Sequence, residues 1–167
     1  MKTVHKKTNI FTFLLFVFMV FSCSDAIEFT EYKSLANSEW DSGEVLTFSF
    51  EITDTISPKN LFINIRNNQE YNFSNLFVIT SLNFPNGTKI VDTLQYEMAN
   101  EKGEYLGTGL SNIKESKLFY KESKVFPSKG KYEFTINQAM RKQGEVQPLQ
   151  TLKGIQDVGF SIEKIVN

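Results

Sequence analysis

The 167-residue chain holds a single cysteine and a single histidine, so nucleophilic and metal chemistry have few places to arise. Cys23 stands directly after an apolar run from Ile10 to Phe21, and Lys2, Lys6 and Lys7 precede that run. A positive segment, an apolar segment and a small residue at the cut are the parts of an export leader. About twelve residues of helix cover roughly 18 Å, well short of a bilayer's roughly 30 Å hydrocarbon core. Val20-Phe21-Ser22-Cys23 resembles a bacterial lipobox in its looser form, with Phe before the small residue. A thiol at that place can form the thioether that carries diacylglycerol, after which cleavage makes Cys23 the first residue. An uncleaved anchor, or an ordinary secretory leader with Cys23 a plain thiol, is the simpler alternative. The position of the only cysteine favours lipidation. Each buried methylene contributes about 0.8 kcal/mol, so two or three acyl chains anchor far more firmly than one. Ser24, where Asp would signal retention, resembles the pattern that permits sorting to an outer membrane.

Cleavage removes most of the remaining chemistry. His5 leaves with the leader, so the mature chain has no histidine. A Ser-His-Asp or Cys-His arrangement cannot be built from it, and zinc, haem or copper would lack their commonest ligand. With Cys23 acylated there is neither a free thiol nor an intrachain disulfide. Asp92, Glu97, Glu101, Glu104 and Asp157 could in principle form a glycosidase pair, but nothing in their spacing brings two into one cleft. They read as solvated carboxylates, with Asp157 capping a turn. No acidic cluster is dense enough for calcium. The expectation is a protein that is not an enzyme and uses no metal or cofactor. The leader takes three of the 18 basic residues and none of the 19 acidic ones, leaving a net charge of −4. No basic patch dominates, which argues against nucleic acid as a partner.

Several side chains are candidates for modification or contact. Asp54-Thr55-Ile56 and Asp92-Thr93-Leu94 fit the short Asp-Thr-apolar pattern of bacterial O-glycosylation, making Thr55 and Thr93 possible acceptors. The plain alternative is an Asx turn at Asp54 and an ordinary strand edge at Asp92. Arg66 and Arg141 are the only arginines. A planar guanidinium suits bidentate contacts, so either could anchor a protein interface, with a surface ion pair as the plainer role. Trp40, Tyr71, Phe73, Tyr105 and Tyr120 could stack on sugar rings, although aromatic residues in a β domain are usually core. A carbohydrate-binding surface protein is therefore the alternative function.

The elements that must position these residues follow a period of two. Leu46, Phe48, Phe50 and Ile52 alternate with Thr47, Ser49, Glu51 and Thr53, as in a strand with one face in a core. Leu61, Ile63 and Ile65 repeat the pattern, as do Tyr132, Phe134 and Ile136, and Val158, Phe160 and Ile162 close the chain in the same way. Leu76 to Thr80 is apolar enough for a central strand. Pro85-Asn86-Gly87 predicts a turn into a long strand that carries Ile90, Asp92, Leu94, Tyr96 and Met98 on one face. Leu118 to Val125 is a weaker strand, and Gly107 and Gly109 suggest a bend or bulge. Gln138 to Gln143 reads as a helical turn, and Gly144 to Lys153 as a mobile polar loop. Seven to nine short strands predict an all-β antiparallel sandwich, jelly-roll-like, over residues 38–167. Residues 1–22 are the leader and 23–37 the lipidated tether. Of sixteen Phe, five lie in the leader and eleven remain to fill the core.

A family resemblance lies in collinear blocks. Asn60-Leu61-Phe62-Ile63-Asn64-Ile65-Arg66-Asn67 and Tyr71-Asn72-Phe73-Ser74-Asn75-Leu76-Phe77 resemble the gliding-motility lipoprotein GldH family of the Bacteroidota. So do Asp92-Thr93-Leu94-Gln95-Tyr96, Gly103 to Gly109, Phe126 to Tyr132, Gln138 to Arg141 and Leu152 to Lys164. The resemblance covers residues 40 to 164, apart from an insert at Gly144 to Pro148. It implies a membrane-anchored envelope lipoprotein that supports gliding motility, is associated with type IX secretion, contacts other envelope proteins and has no catalytic residues.

Overall fold

The computed structural model describes residues 26–109, 112–142 and 144–165; Cys23 and the leader lie outside them. Ten strands occur among the described residues: β1 (Ile27–Ser34), β2 (Glu39–Asp41), β3 (Leu46–Ile52), β4 (Lys59–Asn67), β5 (Asn75–Asn83), β6 (Lys89–Glu97), β7 (Lys114–Lys124), β8 (Gly130–Gln138), β9 (Thr151–Lys153) and β10 (Ile155–Lys164). Their antiparallel pairings are nested: β1 with β10, β2 with β9, β3 with β8, β4 with β7, β5 with β6. The chain therefore runs as one long hairpin whose tip is the turn between β5 and β6. There Gly87 adopts φ 83° and its N–H donates to Phe84 O at 3.0 Å, as Pro85-Asn86-Gly87 predicts. Rolling the hairpin up adds two pairings, β10 with β4 and β5 with β8. The result is two four-stranded sheets, ordered β1-β10-β4-β7 and β3-β8-β5-β6, with β2-β9 as a short ribbon. This is a jelly-roll order, and it agrees with the all-β, jelly-roll-like sandwich expected from the sequence.

The alternating residues meet between the sheets. Leu46, Phe48, Phe50 and Ile52 are buried against Tyr132, Phe134 and Ile136 of the neighbouring strand, with Phe48 opposite Phe134 and Phe50 opposite Tyr132. From the facing sheet Phe160 stacks on Phe134 at 4.1 Å between centroids and lies 5.5 Å from Phe50. Burying a side chain of this kind stabilises the fold by about 1.5–3 kcal/mol. Phe62 and Phe119 depart from the expected use of Phe. They sit on the outer surface of their sheet, Phe62 buried and Phe119 exposed.

Three segments differ from their sequence reading. Residues 27–34, expected within the tether, form β1, so the folded domain begins before residue 38. β1 is an edge strand with no fully buried residue, which leaves it a weak periodic signature. Thr151–Lys153, expected in a polar loop, is a strand in which Leu152 is buried opposite Trp40. Residues 139–142, after β8, are not helical, and Gln143 lies outside the described residues. The Gln138 amide accepts from Met140 N and donates to Leu149 O, both at 2.8 Å, serving backbone groups that a helical turn would have served.

Candidate interaction faces

The outer face of the β1-β10-β4-β7 sheet carries a polar row set by strand register. Ser34, Asp157, Arg66 and Glu115 are successive cross-strand partners on four adjacent strands. Arg66 Nε donates to Glu115 Oε2 at 2.9 Å, and its NH1 lies 3.8 Å from Asp157 Oδ2. The guanidinium also stands over the Tyr32 ring, 4.2 Å from its centroid, and the Tyr32 hydroxyl donates to Glu115 at 2.8 Å. Ser34 donates to Asp157. Tyr32 reaches this position by lying across Gly159, where a Cβ would come within 2.7 Å of the ring. Burial, and then the hydrogen bond to Glu115, push the Tyr32 phenol up to about 12, so it remains a neutral donor. Partial burial alone would raise the Glu115 carboxyl, but hydrogen bonds from Arg66 and Tyr32 outweigh it and hold the group below its usual range. Toward the other end of the face, Asn64 donates to Ser161 at 3.0 Å. Phe62 lies under Phe119 and Lys117, whose ammonium also pairs with Glu163 at 2.7 Å.

The outer face of the β3-β8-β5-β6 sheet is built from shorter side chains. Thr47, Thr135, Ser81 and Val91 form one cross-strand row. Beside it Phe77, Ile79, Thr93, Ala139 and Arg141 line an open depression of about 430 Å³. Thr93 is the direct partner of Ile79. The Ala139 N–H donates to Phe77 O at 2.8 Å, extending the β5–β8 pairing and delivering Arg141 to the rim, where it also bridges to Pro148. Arg141 is exposed, and no salt bridge involves it among the described residues. Two side chains chosen from sequence for separate reasons, Thr93 and Arg141, thus share one surface. Arg66 does not join them; its guanidinium is occupied within the domain.

The remaining candidates are placed as follows. Asp54 Oδ1 accepts from Ile56 N at 2.9 Å and Ser57 N at 3.1 Å, the Asx turn that was the plain reading. Those bonds hold its carboxyl well below the usual carboxylate range, and Thr55 sits half-buried within the turn. Thr93 is exposed, whereas Asp92 points away toward Lys121 at 3.0 Å and the Tyr120 hydroxyl at 3.1 Å. Trp40, Tyr71 and Tyr120 are buried, so three of the five rings considered for sugar stacking belong to the core. Asp157 does not cap a turn; it lies within β10 and serves the Arg66 row. Sequence reasoning missed Lys59, which is 1% exposed and pairs with Glu28 at 2.8 Å and Asp54 at 3.4 Å. Its signal was present: Lys59 occupies the same strand phase as Leu61, Ile63 and Ile65. Tyr32, Glu115, Phe77 and Ile79 had no such signal, because cross-strand register alone assembles them.

An antiparallel jelly roll with a lipobox-like cysteine just ahead of its first strand defines a class, the small β-sandwich lipoprotein. Within it, residues 27–162 match the GldH lipoprotein family, and the chain belongs to that family. It is 45% identical over 159 residues to the gliding motility lipoprotein GldH homolog of Christiangramia forsetii, covering 95% of this chain and 97% of that one. It is 46% identical over 151 residues to the gliding motility lipoprotein GldH of Flavobacterium johnsoniae, covering 90% and 93%. Among solved structures, a family GH115 4-O-methyl-α-glucuronidase aligns with TM-score 0.45 and 13% identity over 87% of this chain and 18% of that one. The VP2 subviral particle of infectious bursal disease virus aligns with TM-score 0.39 and 14% identity over 85% and 34%. Likenesses this loose carry nothing about function.

Proposed function

We propose that this chain is an envelope lipoprotein, acylated at Cys23 and sorted to the outer membrane. There it supports gliding motility and the associated type IX protein secretion through protein contacts, without catalysis. The family and the relatives named as gliding motility lipoproteins support the motility role. The absence of histidine and free thiol from the mature sequence supports the noncatalytic reading. The observation that carries the contact hypothesis is the depression on the β3-β8-β5-β6 sheet. It combines apolar Phe77 and Ile79 with an exposed arginine, the aromatic and arginine composition enriched in interface cores. A lipid anchor confines that surface to two dimensions and raises its effective concentration near membrane partners. Thr93 at its rim is the better placed of the two glycan acceptors, and a glycan there would shield the same surface.

Photo-crosslinking in cells tests the contact. A crosslinker at Ile79 is expected to capture envelope proteins, and one at Lys117 on the opposite sheet is not. Equal capture, or a gene deletion that leaves gliding and cargo secretion intact, would sink the proposal. Cys23→Ala is expected to abolish palmitate labelling; persistent labelling would place the anchor elsewhere.

A further inference from the structure

One end of the sandwich gathers features that neither outer face shares. β1, β4 and β8 begin there, β3, β7 and β10 end there, and the turn at Pro85 to Gly87 closes it. Register brings Lys59 opposite both Lys164 and Lys124, and Ile52 opposite Gly130, while Lys164 N donates to Ala26 O at 2.7 Å. Four aliphatic side chains stand in water at this end: Ile56, 84% exposed in its loop, with Ile27, Val125 and Ile165. The acids here are largely matched. Glu28 and Asp54 pair with the buried Lys59, Glu163 pairs with Lys117, and Glu51 lies opposite Lys131. Lys89, Lys124, Lys129 and Lys164 then outnumber Glu122, the second of the two carboxylates on Lys59, and Asp25 in the segment before β1. The far end also exposes aliphatics, Val45, Leu106 and Val146, but there the exposed Glu44, Glu70, Glu101, Glu104 and Glu145 outnumber Lys102, Arg141 and Lys142. An anionic surface would repel that end.

Chain length decides what covers the first end. Only Ser24, Asp25 and Ala26 separate Cys23 from Ile27. Four Cα steps reach about 14 Å at full extension, against a headgroup layer of roughly 5–8 Å on each side of the hydrocarbon. An acylated Cys23 therefore holds this end of the domain at the headgroups. We propose that the end bearing Ile27, Ile56, Val125 and Ile165 seats on the lipid surface. The aliphatics enter the headgroup boundary and the lysines face anionic phosphates. The strands then run away from the membrane, and both outer faces look sideways, toward partners in the same plane.

This seat rests on the anchor reading above, and one preparation separates the two. The full lipidated chain carrying Ile56→Cys or Val146→Cys is labelled with an environment-sensitive dye and reconstituted into phosphatidylethanolamine–phosphatidylglycerol vesicles. Quenching by headgroup-region nitroxide lipids is expected to be roughly threefold stronger at position 56 than at 146. Val125→Cys serves as a second probe should the first variant fold poorly. A chain that floats with the vesicles but quenches equally at both ends keeps its anchor and overturns the seat. A chain that does not float fails the anchor reading and takes the seat with it. A glycan found on Thr55, beside Ile56, would also overturn the seat, because a sugar there would hold the loop off the lipid.

Discussion

The two outer faces use the same residue type in opposite ways. On the β1-β10-β4-β7 sheet, Arg66 is flanked by Glu115, Asp157 and the Tyr32 ring, and the neighbouring Phe62 is buried beneath Phe119 and Lys117. On the β3-β8-β5-β6 sheet, Arg141 stands exposed at the rim of a depression floored by Phe77 and Ile79. Apart from the exposed Phe119, the first face is satisfied by its own side chains, so a partner would have to displace ion pairs to use the Arg66 row. The second leaves apolar area and a guanidinium facing water, and a partner could cover both at little cost. Exposure of a residue type is thus less informative than whether its neighbours have consumed its contacts.

The contrast can be broken most sharply at its apolar residues. Phe62→Ala is expected to destabilise the mature chain by about 3 kcal/mol, since a buried ring is removed. Ile79→Ala, on the open face, should cost about 1 kcal/mol or less. Urea denaturation measures both, and equal losses would mean that the second face is packed as tightly as the first. Gly159→Val comes next. It forces the Tyr32 ring off the sheet and is expected to cost about 2 kcal/mol, with the Tyr32 hydroxyl losing its bond to Glu115; an unchanged denaturation midpoint would refute that packing. Arg66→Ala should cost about 1 kcal/mol, discounted because the pair is partly exposed. Arg141→Ala should change stability by less than about 0.5 kcal/mol, and it should weaken capture by the Ile79 crosslinker where Arg66→Ala does not. The smallest effect is in pH dependence. Glu115 is held below its unfolded-state pKa, so its stabilisation is complete above that value and is lost as pH falls through the folded-state value. Glu115→Gln should therefore flatten the acid limb of the melting profile by less than about 1 kcal/mol, and an unaltered limb would show that the row contributes nothing.

Much of the architecture was legible because inward and outward residues alternate strictly in β3, β8 and the apolar positions of β4, and the turn between β5 and β6 carries its own backbone chemistry. β1 and β9 were not legible, for opposite reasons. An edge strand such as β1 buries too little to leave a period, and the three residues of β9 are too few to show one. Among the candidate residues, Asp54 behaved as its local pattern allows, since an Asx turn needs only neighbours two and three positions away. Arg66 and Arg141 could not be told apart, because their surroundings come from strands far away in sequence.

By itself the amino-acid sequence set out a leader-like pattern at its start, the lone thiol directly after it, the only histidine within it, and the two-residue period of the core strands. All of these are properties of short stretches or of composition. Tertiary structure alone decided that Thr93 meets Arg141, that Arg66 meets Glu115 and Tyr32, and that Ile27, Ile56, Val125 and Ile165 share one end. The physical reason is the nested pairing of a rolled hairpin: it joins residues by cross-strand register, and register depends on the whole sheet.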